Sequence, residues 1–82
     1  MATNDLQLTD RIVVSRNVLH GKPRIAGTRV PVHTILDLLA AGKTIEQITG
    51  EDYYPDITPE DIYACIAYAS RVVQNDEFVP TL

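Results

Sequence analysis

Apolar residues recur at helical spacing in three stretches of the chain and at strand-like density in one. Over residues 32–41, Ile35, Leu36, Leu38 and Leu39 form a stripe with Asp37 facing away, and Gly42 stands where a helix C′ residue belongs. A first helix is expected there, entered at Pro31. Residues 44–49 predict a short second helix: Thr44 and Gln47 have the spacing of a capping box, Ile45 and Ile48 supply an inner face, and Gly50 ends it. Residues 58–73 predict a third helix with the fullest set of signals. Thr58 is its N-cap, Pro59 suits the first turn, and Glu60 and Asp61 favour the positive end of the helix dipole. Ile57 can staple onto Ile62. Ile62, Cys65, Ile66, Ala69, Val72 and Val73 recur at three- and four-residue spacing and mark the expected buried face.

Ahead of the helices, residues 11–15 (RIVVS) have the β-branched content of a short strand, and residues 24–26 read as a second. Asn17, Gly21 and Gly27-Thr28 supply turns. Strands this short are marginal alone, so they are expected to lie on the helices or to pair with another subunit. Residues 1–10 are polar and aperiodic and are expected to be a flexible N-terminus; residues 74–82 read as a polar, Pro-containing tail. The pattern therefore predicts a mainly α fold: one helix-turn-helix-like domain over residues 11–73, three helices preceded by short β-strands.

Length and charge add two things. Eighty-two residues make one domain, and a chain of this size buries only about 60–65% of its unfolded surface, so a homo-oligomer is expected. Net charge is −4, unevenly spread. Residues 1–43 hold six cationic against three acidic side chains, a balance of +3, whereas residues 44–82 hold Arg71 alone against eight carboxylates, a balance of −7. No apolar run approaches the ~20 residues of a membrane span, and residues 1–11 lack a signal peptide's apolar core, so no membrane association and a cytoplasmic location are expected. The single cysteine, Cys65, fits a reducing compartment.

The densest backbone punctuation is in residues 21–32, GKPRIAGTRVPV, with two glycines, two prolines and three of the seven cations. Such a run specifies a shape, because Pro fixes φ and Gly permits positive φ. Lys22, Arg24 and Arg29, with Arg16 and His20 nearby, are candidates for binding nucleic-acid phosphates or a partner's carboxylates, since guanidinium forks suit either anion. The competing reading is a turn-rich lead-in with merely solvated cations.

The runs Gly21-Lys22-Pro23-Arg24-Ile25, Gly27-Thr28-Arg29-Val30-Pro31-Val32, Ala41-Gly42-Lys43-Thr44, Tyr54-Pro55 and Thr58-Pro59-Glu60-Asp61-Ile62 resemble the prokaryotic family known as domain of unknown function four-three-three. The resemblance spans about residues 11–73. It implies a homeodomain-like three-helix fold and a VapB-type antitoxin role beside a PIN-like nuclease toxin; the antitoxin-like reading adds operator DNA as a candidate partner.

The third helix argues against base reading. Its outward face on a 100° wheel is Glu60, Ala64, Ala67, Arg71 and Gln74, with Tyr68 at the edge. A helix entering the major groove should not lead with Glu60 and Asp61. The link from Gly50 to Ile57 also exceeds the usual three- or four-residue turn. Small Ala64 and Ala67 instead allow close helix approach, and antiparallel pairing across a two-fold sets Glu60 against Arg71. Glu60, Ala64, Ala67, Tyr68 and Arg71 are thus the expected oligomer interface. Catalysis has little support: His20 and His33 lack metal-site spacing, Cys65 lies on an apolar face, and GKPRIAG lacks the P-loop pattern. No cofactor, metal or enzymatic activity is expected. Three readings remain: an antitoxin-like regulator, a stand-alone nucleic-acid-binding module, and a structural homo-oligomer.

Overall fold

The computed structural model describes residues 5–75, so residues 76–82 of the expected tail lie outside the described residues, as do residues 1–4. In chain order it contains β1 (Asp5–Gln7), β2 (Ile12–Ser15), a 3-10 turn (Leu19–Gly21), β3 (Arg24–Ile25), α1 (Val32–Ala40), α2 (Ile45–Ile48) and α3 (Pro59–Asn75). The strands form one antiparallel sheet in the order β1-β2-β3, with Leu6 opposite Val14 and Ile12 opposite Ile25.

The mainly α, homeodomain-like expectation is corrected here. The described residues form a small α+β domain, 46% helical and 15% strand, in which a three-stranded sheet stands beside three helices. Two things misled the sequence pattern. First, β1 is the exposed run Asp-Leu-Gln; it lacks the buried alternation that marks a strand and is held by edge pairing to β2. Second, the β1–β2 connection closes locally: Leu8 and Thr9 donate their N–H groups to the Ile12 carbonyl at 2.8 and 3.1 Å, and Thr9 Oγ1 accepts from the Ile12 N–H at 3.2 Å. Residues 5–7, expected in the loose N-terminus, therefore supply the third strand. The sheet needs no second subunit to complete it.

Helix signals were read more accurately. Gly42, at φ 94°, terminates α1: its N–H donates to Leu39 O at 2.9 Å and that of Lys43 to Leu38 O at 3.0 Å, the paired bonds of a Schellman motif. Thr44 and Gln47 form the expected capping box of α2, through Gln47 N–H to Thr44 Oγ1 (3.0 Å) and Thr44 N–H to Gln47 Oε1 (2.8 Å). Ile12, Ile25, Val32, Ile35, Ile48, Ile57, Ile62 and Cys65 form the core, where the sheet meets all three helices. Both staple residues of α3, Ile57 and Ile62, belong to it.

The expected inner face of α3 is only half right. Ile62 and Cys65 are fully buried, but Ile66, Val72 and Val73 are 42%, 44% and 64% exposed. At about 1.5 Å rise per residue, α3 is some 25 Å long; its buried residues, Asp61, Ile62 and Cys65, all fall in the first seven positions. The second half of the helix runs beyond the core. Ala64, assigned outward by the wheel, and Tyr68, placed at the edge of that face, instead pack against the core, half-buried. The inward face is thus rotated toward Asp61 and Tyr68. Among the described residues no helix is long and apolar enough to cross a membrane.

Candidate functional site

The glycine- and proline-rich stretch folds around one side chain, and that side chain is Arg24. The residue is only 7% exposed. Nη1 donates to the Thr28 carbonyl at 3.1 Å, and Nη2 donates to Ser15 Oγ at 2.7 Å and reaches Asp5 Oδ1 at 3.5 Å. The Ser15 hydroxyl in turn donates to Asp5 Oδ1. Arg24 therefore ties β1, the end of β2 and the turn after β3 together. Its Nε has no hydrogen-bond partner, alone in this respect among buried side-chain polar atoms of the described residues. The sequence reading of Arg24 as a surface cation is revised by this burial: it is a clamp inside the loop rather than a contact on it.

The turn it holds is well defined. Thr28 N–H and Oγ1 both donate to Ile25 O, at 3.1 and 2.8 Å, while Thr28 Oγ1 accepts from the Val30 N–H at 3.0 Å. Ile25 N–H donates to Val30 O at 3.0 Å, closing the loop on itself. Gly27 takes φ 78°, which a residue with a Cβ rarely adopts. Arg29 is exposed beside this turn, on a shallow hollow of about 460 Å³ that Val18, Arg24 and Thr28 also line.

The other expected contact residues lie on the β2–β3 connection. Arg16, His20 and Lys22 are all exposed. Leu19 and His20 take left-handed φ values of 53° and 56°, followed by Gly21 at 79°. Two consecutive non-glycine residues in that region store backbone strain. The turn persists because Val18 O accepts from Gly21 N–H at 3.0 Å and Leu19 O from Lys22 N–H at 3.1 Å. The structure thus gathers Arg16, His20, Lys22 and Arg29 at the surface of the two loops flanking β3 and takes Arg24 out of that set. None of these four forms an ion pair with a described residue.

Beyond this turn, Tyr54 and Pro55 of the α2–α3 connection line, with Gly27 and Thr28, a cavity of about 330 Å³. Lys43 sits 5.9 Å over the Tyr53 ring. The sequence offered no sign of one further polar link. Arg11 Nη1 donates to Asp61 Oδ1 at 2.9 Å, and Asp61 also completes a capping box on α3, accepting the Thr58 N–H at Oδ2 (3.0 Å) while its own N–H donates to Thr58 Oγ1 (3.2 Å). Burial pushes the Asp61 carboxyl up, but the Thr58 bonds and the Arg11 guanidinium outweigh it and hold its pKa below the ordinary value.

Cys65 is buried, and desolvation, with the Asp61 charge added, pushes its thiol up to about 11. A thiol so far from ionising at neutral pH is a poor nucleophile. Among the described residues no three His, Cys, Asp or Glu side chains are grouped to hold a metal ion. The chemistry on offer at this surface is that of exposed cations on a rigidly shaped loop, that is, anion recognition.

A small α+β domain whose signature loop is clamped by a buried arginine defines the class. Residues 12–69 match the family described as Protein of unknown function (DUF433), and the chain belongs to that family. No curated protein and no solved structure matches it.

Proposed function

We propose that this chain is an antitoxin-like regulatory protein that neutralises a PIN-like nuclease by presenting the cations of its signature loop to the acidic, metal-holding pocket of that partner. The observation that carries this reading is the placement of Arg29 and Lys22: exposed, without a carboxylate partner among the described residues, and mounted on turns fixed by internal hydrogen bonds. A pre-shaped cation loses little conformational freedom on docking, which favours affinity for a concave acidic site.

The test is co-expression with the product of the adjacent reading frame. The two proteins should co-purify, and the nuclease activity of the partner should fall as this chain is added. Lys22→Glu with Arg29→Glu should abolish both effects. Inhibition that survives the double charge reversal would refute the role of the loop. A second reading, a stand-alone nucleic-acid-binding module that includes operator DNA among its ligands, draws on exposed Arg16, His20, Lys22 and Arg29. It requires promoter binding that weakens steeply with added salt. The acidic start of α3 weighs against it.

A further inference from the structure

We propose that the half-open face of α3 bordering residues 9–11 is a self-complementary surface that takes α3 of a second copy of this chain in antiparallel orientation. This goes beyond the loop-binding reading and stands or falls independently of it. A hollow of about 350 Å³ lies between this face and Thr9, Asp10 and Arg11, and the α3 residues lining it are Glu60, Tyr63, Ala64, Ala67, Tyr68 and Arg71. These six form three pairs, Glu60 with Arg71, Tyr63 with Tyr68 and Ala64 with Ala67, each symmetric about the point midway between Cys65 and Ile66. In a two-fold interface every contact made by residue i on residue j is repeated by j on i, and this spacing satisfies that condition.

The charges fit the same register. Glu60 and Arg71 are exposed, and neither has an ion-pair partner among the described residues. Eleven residues separate them, about 16 Å along a helix, so they cannot pair within one α3. Antiparallel docking brings each against its opposite on the second copy, twice per dimer. Tyr63 stands 59% exposed, whereas Tyr68 is half-buried against the core. Five residues apart, Tyr63 and Tyr68 project about 140° from each other on the helix, so they flank the crossing on its two sides and Tyr63 of each copy adds its exposed ring to one edge. Ala64 and Ala67 at the crossing point let the helices approach closely.

Sedimentation equilibrium over a range of concentrations tests this on the full chain. The wild type should pass from monomer to dimer, and Arg71→Glu should weaken the dimer by about tenfold or more, since it sets like charges together at two symmetric sites. The double variant Glu60→Arg, Arg71→Glu should restore association, because the pairs are then re-formed with signs exchanged. Ala67→Trp, at a site already exposed, should block dimers while leaving the helical circular dichroism intact. A wild type that stays monomeric, leaving the groove to some other partner, would overturn the proposal. So would a dimer indifferent to Arg71→Glu or not rescued by the charge exchange.

Discussion

Arg11 and Asp61, fifty residues apart in sequence, meet through a 2.9 Å hydrogen bond that fastens the sheet to the first turn of α3. Asp61 serves two purposes with its two oxygens: one caps the helix, the other receives the guanidinium. Arg11 is 47% exposed, so solvent screens much of the attraction. Arg11→Ala should therefore cost about 0.5–1 kcal/mol, whereas Asp61→Ala, which also removes the cap, should cost about 1.5–3 kcal/mol. Urea denaturation of the two variants, compared at equal m-value, would reveal that ordering; equal losses would mean that the capping box contributes nothing.

The same carboxyl contributes to the acid limb of stability. Its pKa lies lower in the folded chain than the ordinary value of 3.8. The unfolded state thus takes up its proton first as pH falls, and the stabilisation is fully present above pH ~4 and lost as pH drops through the lower folded value. Thermal melts of the wild type should hold steady from neutral pH to about pH 5 and then decline. Asp61→Asn should start lower and decline less steeply over that acid range.

Arg24 and Arg29 lie five residues apart, yet substitution should separate them completely. Arg24→Ala opens a buried site, strands the Thr28 carbonyl and leaves Ser15 only its bond to Asp5, at a cost of about 2–4 kcal/mol. Arg29→Ala, at an exposed position, should stay within about 0.5 kcal/mol of the wild type. Partner binding should respond in the opposite sense at equal folded fraction, with Arg29 the more sensitive. A destabilising Arg29→Ala would show that its side chain has structural work of its own.

His20 offers a test of strain. Glycine at this left-handed position relieves a steric cost but adds unfolded-state entropy, so His20→Gly should leave stability unchanged or raise it by about 0.5 kcal/mol. If the imidazole takes part in recognition, the same variant binds the partner more weakly. Chemical denaturation and a binding titration on one preparation read out both effects. A clear loss of stability would mean that the His20 side chain supports the turn.

Local signals were legible in the sequence and long-range ones were not. The Gly42 terminus, the Thr44–Gln47 box and the Ile57–Ile62 staple each lie within a few residues, where backbone sterics and hydrogen bonding decide the outcome. β1 was missed because an edge strand with both faces in solvent carries no hydrophobic period. Arg24 was misassigned for a related reason: its partners Asp5 and Ser15 come from other strands, and a cation among glycines reads as exposed until they are in place. On α3, the wheel placed Val72 and Val73 inside because periodicity cannot tell where the core beneath a helix ends.

The family match begins at residue 12, so it includes Arg24, Thr28 and Arg29 but not Asp5. The signature loop and the acid that helps anchor it are separable along the chain. Exchanging residues 1–10 for an unrelated segment would leave every signature residue in place and still change how firmly the turn is held. The leading strand is in that sense a tuning element: it can vary the posture of a shared loop without touching the residues by which the family is recognised.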